Sequence, residues 1–301
     1  MLENSQRTID QSISRRECVG LVAMLAGASL VCIARPSEAA TNNEQEFQNT
    51  LDQLGNDPEL AAQMRGVKEY NEFFPDLQLE KAPIKIKPSN TPVSERSIDL
   101  IVRCEVTSET YYTSHYQAPT WPHGPSGITI GIGYDLGYVT EDEFVDDWKE
   151  YSSAPVRAQL KAACLKTGQE AEKLLSQYSS VKISWDPAIS QFRKQALPRY
   201  VALTEVSLAN FGKLSPDSRG ALVSLVYNRG ASFSVPTNKP NSERYEEMRA
   251  IKTLMINQQF DKIPEQIRHM KRLWEGAPNQ RGNVVRRDAE AALFELGLTG
   301  K

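Results

Sequence analysis

Apolar residues recur at helical spacing through most of the chain, and at a spacing of two in only one short place. In "RSIDLIVRCEV", Ile98, Ile101, Val102 and Glu105 fall at i, i+3, i+4 and i+7, so a glutamate shares the helix face that ought to be buried. "SRGALVSLVYNRG" is apolar nearly all round until Gly230, the pattern of a central buried helix. Phe47, Leu51, Leu54 and Leu60 predict a helix within 44–70, and a last helix is predicted from Val284 to Leu296, stopping at Gly297. Asp186-Pro187 and Ser215-Pro216 each read as an N-cap followed by proline at the first helical position. Thr140 and Glu143 have the spacing of a capping box. The exception is "SGITIGIGYDLGY", where Ile128, Ile130 and Ile132 alternate with Thr129, Gly131 and Gly133. It predicts a β-hairpin turned by "HGPSG", with Thr129 and the two glycines sharing one open strand face. The expected class is α+β, mostly α, with one small hairpin.

Charge and composition change this picture mainly at the N-terminus. The chain has 301 residues, a net charge of −3 and 24% charged residues, which argues against a nucleic-acid or anionic-membrane binder. Ser14-Arg15-Arg16, the apolar run from Val19 to Ala34 and the small residues of "RPSEAA" predict an export signal over 1–39, similar to a twin-arginine leader. The run is short for a membrane span, although an uncut N-terminal anchor is the alternative. Cleavage after Ala39 leaves Cys104 and Cys164, either paired or as two free buried thiols. Residues 40–95 carry ten acids against five basic residues and end in the Pro-punctuated "KAPIKIKPSNTPVSE", the composition of an acidic arm and linker. The third segment, 96–301, reads as one helix-rich domain.

The glycine-rich stretch is not a nucleotide loop. Gly131, Gly133 and Gly137 give G-x-G-x-x-x-G, and no Gly-Lys-Ser/Thr follows. Its residues instead suit an open surface beside an acid. Burial disfavours the charged form of a carboxyl, which is what a general acid needs, and Glu105 stands on a face that should be buried. The plainer alternative is that the helix ends at Glu105, or that the residue pairs with an arginine. Tyr111, Tyr112, Tyr116 and Trp121 are candidates for stacking on sugar rings or for local packing. His115 and His123 are too isolated to indicate a metal site.

A helix bearing Glu105, then "GITIGIGYDLG", "ALVSLVYNRG" and "GNVVRRDAEAALF", in this order across about 96–298, resembles the phage-type lysozyme superfamily and its pesticin-like branch most closely. The resemblance implies a lysozyme-like fold with a hairpin lobe and a helical lobe, no cofactor and no metal. It also implies muramidase activity on peptidoglycan glycan strands, with inversion at the sugar carbon. Glu105 matches the catalytic acid, and Thr129 the threonine beside the attacked carbon. Phage lysozymes place an aspartate six residues before that threonine, where this chain has His123; pesticin-like members place it six residues after, where Asp135 stands. Asn228 matches a substrate-binding amide, with a helix C-cap as its alternative, and Tyr134, Gly131 and Gly133 fall among the substrate-facing positions. Arg286 matches the arginine that pairs with the acid, with Arg287 one step round the helix.

Overall fold

The computed structural model describes residues 38–57, 59, 60, 63, 86–124, 126–277 and 280–300. The chain from Ser37 to Lys301 forms one unit. Residues 1–37, with most of the expected export signal, lie outside the described residues, as do 64–70 of the expected first helix. Among the described residues no helix is long and apolar enough to cross a membrane.

The helices are α1 (Glu38–Asn56), α2 (Glu95–Val106), α3 (Glu109–His115), α4 (Glu141–Trp148), α5 (Ala154–Leu160), α6 (Gln169–Leu175), α7 (Trp185–Gln191), α8 (Leu197–Ser207), α9 (Pro216–Arg229), α10 (Glu246–Ile256), α11 (Ile263–His269) and α12 (Arg281–Thr299). Among the described residues the sheet is a single antiparallel hairpin of β1 (Thr129–Ile130) and β2 (Tyr134–Asp135). The chain is therefore mostly helical, as its periodicity predicts.

α12 is the hub, packed against α1, α2, α9 and α11. It runs through Gly297 instead of stopping there, because that glycine is a crossing point. A Cβ on Gly297 would meet the Ser215 and Ser218 hydroxyls at 2.1 and 2.2 Å. Ser218 also donates from Oγ to the Phe294 carbonyl at 2.9 Å. α9 is capped by Ser215, whose side chain accepts from Ser218 N–H, and stops at Gly230 with φ +70°. α2 meets α9 at Gly220, where a Cβ would fall 2.1 Å from that of Ser97. Glycine and serine thus bring three helix axes close together.

Residues 38–56, which take in the last two residues of the expected export signal and the start of the expected acidic arm, form a helix that packs on α12 and buries Phe47, Leu51 and Leu54. Arg268 fastens it by bonding both Glu46 and Glu295, and Arg96 bonds Glu44. The acids of this segment are therefore partly matched by arginines of the folded body. Ser89 and Thr91, in the expected linker, donate to Glu205 of α8 at 2.7 and 3.0 Å.

Two local readings are corrected. The turn between β1 and β2 is Gly131-Ile132-Gly133, where both glycines adopt left-handed φ (+56° and +70°) that side-chain-bearing residues avoid, while "HGPSG" lies in the preceding reversal closed by the antiparallel Thr120–Thr129 bridge. The strand is consequently two residues long, and Thr129 does not share a strand face with those glycines. α7 is capped at Ser184, so Asp186 lies in its first turn and Pro187 follows inside it. The capping box at Thr140 and Glu143 is formed as predicted.

Candidate active site

Glu105 occupies the last turn of α2, which begins at an N-cap where Ser94 accepts from Ser97 N–H. The helix ends abruptly. Thr107 has φ +67° and ψ −62°, and Ser108 N–H donates to the Val106 carbonyl at 2.8 Å, closing a γ-turn around a β-branched residue. The turn stops the chain from covering the glutamate and redirects it into α3. Glu105 keeps 13% of its side-chain surface exposed, beside an Arg286 that keeps 2%.

Arg286 Nη1 donates to Glu105 Oε1 at 3.1 Å. The resemblance matched this pairing to Arg286 with Arg287 left as an alternative, and in the structure it is Arg286 that bonds Glu105, across 181 positions of sequence. The rest of the guanidinium is fully engaged. Its Nε donates to Glu290 Oε1 at 3.1 Å, and its Nη2 donates to the Ser224 carbonyl and hydroxyl at 3.0 and 3.2 Å. Burial alone would disfavour the Arg286 charge, but Cys104, Glu105 and Glu290 lie close enough to hold its pKa above the ordinary guanidinium value.

The hairpin meets the acid at its turn. A Cβ on Gly133 would lie 2.8 Å from Glu105 Oε2, so the absence of a side chain there makes room for the carboxylate. Gly131 instead backs onto the indole of Trp148, at 2.8 Å from Cη2, and faces the hairpin's own core. Tyr227 of α9 holds the turn in place by donating its hydroxyl to the Ile132 carbonyl at 2.7 Å. Burial, then the nearby Glu105 charge, pushes the Tyr227 pKa well above its usual value, keeping that hydroxyl a donor.

Thr129 and Asp135 stand directly opposite each other in the strand register, so their side chains leave the hairpin on one face. Thr129 is half-buried and donates to the Gly127 carbonyl at 3.5 Å. Asp135 is 8% exposed. Its Oδ1 accepts from the backbone N–H of Gly127 at 3.0 Å and of Gly137 at 2.8 Å, and its Oδ2 lies 3.2 Å from Gly127 N–H. Asp135 therefore ties three segments of the lobe together, the turn role that competes with a catalytic one.

The remaining expected residues fall in different places. Tyr134 is buried with its hydroxyl on Asp147 at 2.7 Å, and Arg199 of α8 grips the same carboxylate with both terminal nitrogens. Tyr134 is thus a strut between the hairpin, α4 and α8, and not a substrate-facing ring. Asn228 accepts from Arg287 Nη2 at 3.0 Å. Tyr112 is buried and donates to the Ile183 carbonyl at 2.8 Å, so it is not a stacking surface. Tyr111 stacks on His115 with centroids 3.9 Å apart, and Trp121 lies 4.8 Å from His123 while donating to the Ser126 carbonyl. Cys104 and Cys164 are both buried and free. Among the described residues no three His, Cys, Asp or Glu side chains are grouped as metal ligands.

Sequence reasoning missed Glu290 and Ser224 as parts of this site, and named Arg287 only as an alternative to Arg286. Arg287 Nη2 also donates to Glu290 Oε1 at 3.1 Å, and its guanidinium lies over Trp274 at 5.5 Å. "RRDAE" carries the signal, because it sets Arg286 and Arg287 four and three positions before Glu290 on one helix.

Residues 104–201 match a family described as Domain of unknown function (DUF8812). The match takes in Glu105 and the whole hairpin but ends before Asn228 and Arg286. Comparison with curated proteins finds no match.

Proposed function

We propose that this chain is an exported muramidase with a lysozyme-like fold, cleaving the β-1,4 bond between N-acetylmuramic acid and N-acetylglucosamine of peptidoglycan. The observation that carries the reading is the Glu105–Arg286 pair at the mouth of a glycine turn. A carboxyl that is mostly buried, held by one guanidinium and faced by a residue without a side chain, can approach a bridging oxygen. Glu105 protonates the leaving oxygen as the glycosidic bond breaks. Thr129 and Asp135, on one face of the hairpin, orient the water that adds from the opposite side of the ring and inverts the carbon. Glycan strands are the only partner the reaction requires, and an exported location gives the protein access to them. The test is release of soluble muropeptides from purified peptidoglycan. Wild-type protein releases them and Glu105→Gln does not; equal release by both would refute the reading.

A second reading is favoured by the bonds of Asp135 to two backbone amides. A lytic transglycosylase needs the acid and no water-positioning carboxylate, because the sugar's own 6-hydroxyl attacks. Mass spectrometry of the products separates the two, since transglycosylation leaves 1,6-anhydro ends. Loss of all activity with retained glycan binding would instead indicate a non-catalytic glycan-binding protein.

A further inference from the structure

We infer that Glu290 is a positioning residue that sets how much of the Arg286 charge Glu105 experiences, through a buried group of two carboxylates and two guanidiniums. The inference rests on Glu105 being the acid of the proposed reaction, and it goes beyond that reading by assigning a role to residues that never meet substrate.

One oxygen, Glu290 Oε1, accepts from the Ser224 hydroxyl at 2.7 Å, Arg286 Nε at 3.1 Å and Arg287 Nη2 at 3.1 Å. The Glu290, Arg286 and Arg287 side chains are at most 2% exposed. Bracing Arg286 would need only a neutral acceptor such as the nearby Ser224 carbonyl, and burying a carboxylate is costly unless its charge is used. Its charge has a clear effect here. A lone guanidinium beside a carboxyl favours its ionised form, which cannot donate a proton. Glu290 on the far side of the same guanidinium opposes that pull, while Arg287 restores part of it.

The charged and titratable groups around Glu105 are few. α12 contributes Arg286, with Glu290 and Arg287 behind it; α9 contributes Tyr227; and α2 itself contributes Cys104, whose thiol is pushed up to about 12 by burial and so stays neutral. The hairpin presents Gly133 to the acid and also carries the Asp135 carboxylate, which is held on the Gly127 and Gly137 amides. Two carboxylates therefore balance two guanidiniums, and any single neutralising substitution unbalances the group in a known direction.

The experiment reads Glu105 directly and does not need turnover. In protein carrying 13C-labelled glutamate, the Glu105 carboxyl resonance is assigned by its loss in Glu105→Gln and followed against pH. Glu290→Gln keeps an acceptor at the Oε1 position but removes the negative charge, so the Glu105 midpoint in the variant falls relative to wild type. Arg287→Met removes a positive charge from the same group, so the midpoint rises. Where the proposed reaction is observed, the alkaline limb of its pH–rate profile moves the same way in each variant, because the acid must be protonated. A midpoint unmoved in either folded variant, or shifts of the same sign in both, overturns the inference. If Glu290→Gln does not fold, the Arg287→Met shift decides alone. An inactive wild type would refute the muramidase reading while leaving the titration result to stand.

Discussion

The two left-handed glycines of the hairpin turn make a paired test of where the acid sits. Gly133→Ala adds one methyl group at φ +70°, which costs about 1–2 kcal/mol of backbone strain. That Cβ also falls 2.8 Å from Glu105 Oε2, the far end of a side chain that can swing aside. The stability loss stays near the backbone cost, a melting temperature lower by roughly 3–6 °C for a domain of this size. The acid, however, is displaced by several tenths of an ångström or loses its Arg286 bond, and since a misplacement of about 1 Å costs about 100-fold in rate, a loss of roughly 10- to 100-fold is expected. Gly131→Ala meets the same strain at φ +56°, but its Cβ presses on the Trp148 ring at 2.8 and 3.2 Å, and this buried indole cannot yield. Overpacking adds about 1–3 kcal/mol to the backbone cost. Calorimetric melting with muropeptide release on both variants gives the comparison. The reasoning predicts that Gly131→Ala is the less stable protein and Gly133→Ala the less active one. Equal activities per folded molecule, or Gly133→Ala as the more damaged fold, would refute the placement of Glu105 against the turn.

Three further outcomes follow from the same geometry. Arg286→Met leaves Glu105 and the fully buried Glu290 short of their shared cation, and urea unfolding registers a loss of about 3–5 kcal/mol. Tyr134→Phe removes one hydrogen bond to the buried Asp147 carboxylate, costing about 1.5–3 kcal/mol while KM for glycan stays unchanged; a raised KM would return Tyr134 to the substrate surface. Burial pushes the thiols of Cys104 and Cys164 up to about 12, so above pH about 9 the native state keeps protons that the unfolded chain releases. That contribution is complete below pH about 9 and is lost as pH rises toward 12. Urea melts should show a fall of about 3 kcal/mol from pH 8 to 10, much reduced in a variant with both cysteines replaced by alanine.

The sequence was most readable where one residue type forces one local structure. Ser215-Pro216 starts α9 and Gly230 stops it, and the Thr140–Glu143 box opens α4, because caps act over three or four residues. The apolar periodicity of 98–105 located both the helix and its misfit glutamate. The hairpin was placed correctly but its turn was not, since alternation of isoleucines does not reveal that Gly131 and Gly133 adopt left-handed φ. Gly297 was read as a stop because a glycine near a helix end and a glycine at a helix crossing look alike in one dimension. The bonds of Asp135 and Tyr134 were illegible for a related reason: Gly127, Gly137, Asp147 and Arg199 find them only through the fold. The Glu105–Arg286 pair came from resemblance, and nothing in local pattern would join residues so far apart.

That separation has a consequence in time. At typical synthesis rates of about 5–20 residues per second, Arg286 is made roughly 10–40 s after Glu105. Throughout that interval α1 and α2 exist without the helix on which they pack, α9 joins them only in its second half, and the glutamate has no arginine. A nascent or truncated chain therefore cannot hold the acid in place. Under the proposed function, the carboxyl group meets its arginine only once α12 has been made and packed among the other helices.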